Sequence, residues 1–503
     1  MMRAYKVVSL AILLASLLSC DPSAKHDQAV LLQVAEDPTV ALKVWFKVGS
    51  QDDPQGKEGL AYLTGQMISE ASTANNSYEQ ILQKLYPLAA GYGVQVDREM
   101  TVLSGRTHRD NLDAYFTLFT DAYLRPAFTE EDFDRLRTDA LNYLKNTLRY
   151  AQVEELGKAA LYGFVFEGTR YAHPPVGTVQ GLESITLEDV KAFYQSHYTR
   201  DNVVLALGGG YDKALVQRLR ETAGELPEGV PAVVAAPQPP SIESHQLLLV
   251  DKPDADASIS VGFPIDLHRG AREFYALWLA NSWLGEHRNS SSHLYQVIRE
   301  SRGMNYGDYS YIEAFPQGGF RSFPPTHVGR RQQIFEIWIR TLPDEQAHFA
   351  LRAALRELKL LVDNGLTEEQ FELTRAFLRK YVLHFADTTS ARLGYAVDDR
   401  FYGISGEGHL ARFREVMDEL TLEEVNAAIR KHLQYDNLKI AIVTGSAEKL
   451  KEALATNAPS PMDYGDVAKG PEILEADKEI AGFPLAIQKE AVRVVAVDQI
   501  FER

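Results

Sequence analysis

Apolar positions along this chain follow two rhythms, and their alternation outlines the fold. Residues 40–48 form a β-rich run containing A-L-K-V-W-F-K. After an acidic turn at Asp52-Asp53-Pro54, the residues Leu60, Leu63, Met67 and Ile68 take the spacing of one face of an amphipathic helix. Residues 91–97 and 100–105 then read as two strands joined by a short polar turn. A helix-period segment runs from 111 to 123, and Thr129, with Asp132 three residues on, marks the start of another helix. Residues 223–244 carry five prolines and read as an exposed linker.

Beyond the linker the pattern repeats. Ile185-Thr-Leu-Glu-Asp-Val190 leads to His197, then Asp201-Asn202 and a strand ending at Gly210. Leu420-Thr-Leu-Glu-Glu-Val425 leads to His432, then Asp436-Asn437 and a strand ending at Gly445, every pair offset by 235 without a gap. A second pair, Thr129-Glu-Glu-Asp-Phe133 and Thr367-Glu-Glu-Gln-Phe371, is offset by 238. Each T-x-x-[DEQ] is a capping box or its close relative, because the Thr oxygen takes a free N–H of the first helical turn. Asp-Asn then turns the chain into an apolar strand. The expected fold is therefore α+β, with two homologous α/β-sandwich domains, each a sheet flanked by helices, related by internal duplication.

At 503 residues the chain exceeds a single core. The expected organisation is a leader over 1–20, a polar tether over 21–38, an N-terminal domain over 39–222, the linker over 223–244, a C-terminal domain over 245–446 and a tail over 447–503. The formal charge of −17, with no Lys/Arg-rich stretch, argues against nucleic acid as a partner. Arg3 and Lys6 precede an apolar run from Val7 to Leu18, which reads as a secretory signal too short to span a membrane stably. It ends in L-L-S-C, similar to a bacterial lipobox, so Cys20, the only cysteine, is the expected lipidation site. Such a protein would be anchored by lipid in the cell envelope facing the periplasm, with inner or outer membrane left open. No disulfide or Cys metal site would then remain.

The histidines suggest structure rather than metal. His197 and His432 fall at equivalent helix ends, where an imidazolium meets the helix dipole or the ring simply packs. His287 and His293 are six apart, a spacing that does not place both on one helix face.

Several segments resemble the insulinase/pitrilysin metallopeptidases. Trp45 to Gly56 matches W-F-x-x-G-S-x-D-x-P-x-G, and further matches lie at residues 170–178 (R-Y-A-H-P-P-V-G-T), at H-Y-x-x-D-N from His197, and at residues 293–306. In that family the helix after the first motif carries H-x-x-E-H, two His ligands one turn apart with a Glu as base. Here the five positions are Tyr62, Leu63, Thr64, Gly65 and Gln66. The resemblance places the family's third zinc ligand at Glu155, beside Glu154, and one carboxylate cannot hold a catalytic zinc. It also implies that Arg299 and Tyr306, an intact R-x6-Y, donate to a substrate carbonyl and stabilise its oxyanion. Some short family members divide the chemistry between two chains. The resemblance thus implies a chain that binds no metal, is inactive alone, and supplies Arg299 and Tyr306 to a zinc-bearing homologous partner that hydrolyses peptides. The alternative is a catalytically inactive scaffold or peptide-binding lipoprotein.

Overall fold

The computed structural model describes residues 29–503, so Cys20, the leader and the first part of the tether, 21–28, lie outside the described residues. The first sheet is built from β1 (Val30–Gln33), β2 (Thr39–Phe46), β3 (Gly91–Val96), β4 (Thr101–His108) and β5 (Val203–Gly209), in the order β1-β5-β2-β4-β3. The second is built from β6 (Gln246–Asp251), β7 (Ala257–Ile265), β8 (Asp308–Tyr311), β9 (Gln333–Leu342), β10 (Lys439–Thr444) and β11 (Val492–Ala496), in the order β11-β6-β10-β7-β9-β8. Apart from β11, the two orders are the same path traced twice. The repeat is structural as well: helices Leu187–His197 and Leu422–His432 occupy corresponding places, each opened by a Thr capping box at Thr186 and Thr421.

The central strands of both sheets are buried on both faces. All seven residues of β5 and all six of β10 are buried, which accounts for their nearly unbroken apolar sequences. Each sheet packs its own helices on one face and receives a helix of the other half on the opposite face. Helix Val153–Val165, from the first half, lies on β7 and β10. Gly157 faces this sheet, next to Ser258, Ser260 and Val443. Reciprocally, helix Thr389–Tyr402 lies on β5 and β1, with Leu393 and Val397 packed among Ala41, Trp45 and Val204. The domain limits read from the sequence follow the repeats but do not bound separable bodies, since each half completes the other's core.

One boundary needs correction. Residues 30–33, read as tether, form β1, which pairs in parallel with β5 from Val30↔Ala206 to Gln33↔Gly209. The tail packs back on the body. β11 pairs in parallel with β6, and the chain then crosses to the first half. There Arg149, 5% exposed, donates from Nε and Nη2 to Ile500 O at 3.0 and 2.7 Å. The amides of Val179 and Gln180 reach the carbonyls of Phe501 and Glu502, each at 3.0 Å.

The repeat histidines are structural. His197 stacks on Phe193 with ring centres 4.1 Å apart, and His432 Nε2 lies 2.9 Å from Glu273 Oε2.

Candidate functional site

Helix Leu60–Ser69 carries the positions of the degenerate motif, and the segment before it explains how it is held. Gly49 lets the chain pass the strand turn, where a Cβ would stand 2.4 Å from Asp97 O. Asp53 is buried, and its two carboxylate oxygens accept from the amides of Gly59 and Ala61, both at 2.7 Å. These are free N–H groups of the first helical turn, so the carboxylate closes the helix start from outside it. Burial pushes the Asp53 carboxyl well above its ordinary range, while those two amides pull it down.

The residues present do not fit zinc. Tyr62 is half-buried, and burial pushes its phenol up to about 12, so it offers a neutral hydroxyl at neutral pH. Gln66 offers a neutral amide. At Gly65 a Cβ would fall 2.5 Å from Val96 Cγ2. A helix-interior glycine costs about 1 kcal/mol relative to Ala, but here it lets β3 approach, and the space a glutamate would need is filled. Among the described residues no group of three or more His, Cys, Asp and Glu converges as a metal site.

Glu155 has a different occupation from the one its sequence position implied. Its Oε2 and Oε1 accept from the amides of Gln317 and Gly319 at 3.1 and 3.3 Å. Its neighbour Glu154 accepts from Arg340 Nε at 3.0 Å and from the Thr341 amide at 3.1 Å. Both carboxylates stand in the first turn of helix Val153–Val165 and fasten it to the second half, on whose sheet it lies.

Between the halves, beside helix Leu60–Ser69, is a cavity of about 280 Å³. Tyr62 and Glu155 reach it, together with residues absent from the sequence reading: Arg98, Tyr162, Arg321 and Arg330. The turn Asp97-Arg98-Glu99, read from the sequence as a short polar link between strands, is buried, with exposures of 4%, 4% and 5%. Arg330, 2% exposed, donates from Nε and Nη2 to Asp97 at 3.0 and 3.1 Å. Arg98 donates to the carbonyls of Tyr171 and His173 at 3.1 and 3.3 Å. Both guanidinium carbons stand 4.8 Å from the centre of the Tyr162 ring. Burial, with Arg330 nearby, holds the Arg98 guanidinium down at about 10. Three consecutive charges between two strands were the one sequence signal for this site.

Arg299 and Tyr306 lie elsewhere. Arg299 closes the helical turn Tyr295–Glu300, with its guanidinium carbon 5.8 Å from the Tyr295 ring centre and Nη1 3.3 Å from Glu300. Tyr306 is 77% exposed. Its neighbour Asn305 holds the loop from inside, donating to Asp308 Oδ1 at 2.7 Å and to Arg340 O at 3.2 Å. The phenol is thus presented outward on a fixed loop, and neither side chain lines the cavity between the halves.

His287 and His293 serve packing. His287 Nδ1 lies 2.8 Å from the Tyr311 hydroxyl, and burial pushes the imidazole down to about 3. His293 stacks on Trp283 at 4.4 Å and meets Glu357 Oε2 at 2.6 Å. Beside them Glu286 is buried, and burial raises its carboxyl from 4.5 to about 7. Between those values the folded chain holds a proton that the unfolded chain has released, so rising pH costs stability. Glu286→Gln removes this dependence: its stability advantage over wild type should be small at pH 4.5 and grow to about 3 kcal/mol near pH 8. Urea denaturation across that range checks it, and a gap that stays flat with pH refutes it.

Residues 29–169 match the family model for insulinase (peptidase family M16), and residues 184–378 match that for the peptidase M16 inactive domain. An uncharacterized zinc protease of Streptomyces coelicolor is 23% identical over 335 residues, 65% of this chain and 68% of that protein. The uncharacterized zinc protease YmxG of Bacillus subtilis is 21% identical over 427 residues, 83% of this chain and 96% of its own length. Among solved structures, a peptidase M16 inactive domain from Pseudomonas fluorescens superposes with a TM-score of 0.72 at 24% identity, covering 83% of this chain and 96% of that one. A protease from Helicobacter pylori superposes with a TM-score of 0.70 at 15% identity, with the same coverages.

Proposed function

This chain is a homologue of the insulinase/pitrilysin (M16) peptidases whose zinc-motif positions hold Tyr62, Gly65 and Gln66, and from that premise we propose that it is the non-zinc-binding subunit of a two-chain peptidase. A zinc-bearing homologous chain hydrolyses the peptide, and this chain supplies Arg299 and Tyr306 across the interface. One observation carries the reading: Tyr306 is 77% exposed on a loop held rigid by Asn305, with Arg299 seven residues before it on the preceding turn. An outward phenol in a fixed setting suits an O–H aimed at a carbonyl on another chain. In the tetrahedral intermediate that oxygen carries negative charge, and donors fixed beforehand need no reorganisation to meet it. The guanidinium adds a charge-assisted donor. Zinc, bound by the partner, would polarise the same carbonyl and activate water.

Localisation belongs to the same proposal. Cys20 anchors the chain by lipid in the cell envelope, facing the periplasm. Labelling with a palmitate analogue should vanish in Cys20→Ser, and unchanged labelling removes the anchor from the picture.

The catalytic half is tested by co-expressing this chain with a zinc-bearing homologue. The reconstituted pair should cleave peptides, with Arg299→Ala or Tyr306→Phe lowering kcat by about 10²–10³ and leaving the melting temperature of this chain nearly unchanged. A pair that forms and cleaves at the wild-type rate with either variant leaves the scaffold reading, in which the fold serves assembly alone.

A further inference from the structure

The cavity between the halves has a charge that the chain as a whole does not. Against a formal net charge of −17, its lining holds four cations, Arg98, Lys158, Arg321 and Arg330, and two carboxylates, Asp97 and Glu155. Both carboxylates are already engaged, Asp97 by Arg330 and Glu155 by the amides of Gln317 and Gly319. Of the cations, Lys158 faces Glu336 at 3.7 Å. The Arg98 guanidinium donates only to carbonyl groups, and the nearest carboxylate, Asp97, is bidentate to Arg330. Burying a charge without a counter-charge in direct contact is costly, and a second guanidinium on the same ring raises that cost.

Unpaired donors lie on three of the lining residues. Among the described residues, Arg330 Nη1, Arg321 Nε and the Tyr162 hydroxyl are buried polar atoms with no hydrogen-bond partner. Arg330 is 2% and Tyr162 7% exposed, so these groups cannot turn to bulk solvent. The remaining wall is apolar, from Val96, Leu148, Pro174, Pro175, Val176 and Pro316.

We propose that this cavity is a binding site for a small carboxylate, the free C-terminal group of a short peptide whose last side chain is apolar, held by Arg98, Arg321, Arg330 and Tyr162. The carboxylate supplies Arg98 with a counter-charge in direct contact, since the nearest carboxylate, Asp97, is already held by Arg330. It also accepts from the unpaired donors. The apolar wall takes the adjoining side chain, and about 280 Å³ admits little more than one residue. A peptide as the bearer of the carboxylate rests on the peptidase-like reading; the oxyanion site does not, and neither depends on catalysis in trans.

The test is calorimetric titration of the full chain with an N-acetylated tripeptide ending in leucine, with its C-terminal amide, and with inorganic phosphate. The acid should bind at least tenfold more tightly than the amide. Arg98→Gln and Arg321→Gln should each weaken it about tenfold, the worth of a charge-assisted hydrogen bond. Arg321 is only half-buried on a loop, so its variant tests the site even where Arg98→Gln disturbs folding. Equal binding of acid and amide, or binding of neither, overturns the proposal. Binding of phosphate alone, lost in both variants, overturns the peptide as ligand and keeps the oxyanion site. A failure of Arg299→Ala to affect cleavage by the reconstituted pair bears on the proposed function and leaves these affinities unchanged.

Discussion

Arg269→Met is expected to remove about 3–5 kcal/mol of folding stability, the cost of leaving a buried ionic network without its cation. Arg269, 5% exposed, donates to both Glu313 oxygens at 2.9 and 2.7 Å and to Asp398 Oδ2 at 3.2 Å. Glu313 holds the guanidinium well above its ordinary value, so the cation is charged at any working pH. Asp398 stands on helix Thr389–Tyr402, the helix that the second half lends to the first sheet. It also accepts from the His327 amide at 2.9 Å, and the His327 ring meets Lys43 Nζ of β2 at 3.0 Å. The network therefore bolts a lent helix to the sheet that receives it. Removing Arg269 leaves the buried Glu313 without its ion-pair partner and Asp398 with only the more distant Lys43. The triple variant with Glu313→Gln and Asp398→Asn should recover a large part of the loss, because neutral amides do not need a counter-ion. Urea denaturation of the single and triple variants decides it, and a single-variant loss below about 1 kcal/mol would place the network among the weak surface pairs.

That network also marks where sequence reading stops. Capping boxes, apolar spacing and turn residues act over three to twelve residues, so Thr186, Thr421, β5, β10 and the helix ends at His197 and His432 were legible, and the duplication with them. The exchange of helices was not legible, because a helix buried by a distant sheet has the same apolar face as one buried by its neighbour. Only the full burial of β5 and β10 hinted that a second layer must come from somewhere. β1 escaped notice because V-L-L-Q is four residues long and follows a polar stretch. At Glu155 the family position was found, but its use was not: its partners are backbone amides 162 and 164 residues away. Gly65 looked like a deletion of chemistry, whereas its lack of a side chain is filled by Val96. Charged residues mislead most where they are buried, and Asp97-Arg98-Glu99 reads only as a short polar turn until its exposure is known.

Gly177→Ala is expected to cost about 3 kcal/mol or more, although it adds one methyl group. The residue sits at φ +102 in the segment 170–178, and a Cβ there would fall 2.2 Å from Glu58 O and 2.5 Å from Gly59 Cα. Those atoms belong to the backbone that opens helix Leu60–Ser69, which Thr178 also holds by its amide to Glu58 O at 3.2 Å. No rotamer relieves a clash of Cβ with backbone, so the helix start or the strap must move. Its neighbours Val176 and Pro175 wall the cavity, and the tail's Phe501 bonds the next turn at Val179, so the shift is felt on both sides. Gly168 supplies the control. It has φ +79, but a Cβ there would meet nothing within 4 Å. Gly168→Ala thus carries only the backbone penalty of a left-handed residue, roughly 1–2 kcal/mol. The difference between the two variants measures the close approach alone, by urea denaturation for stability and by titration for the cavity. Equal losses in the two would show that the strap can yield, and that the segment 170–178 does not set the position of the helix carrying Tyr62, Gly65 and Gln66.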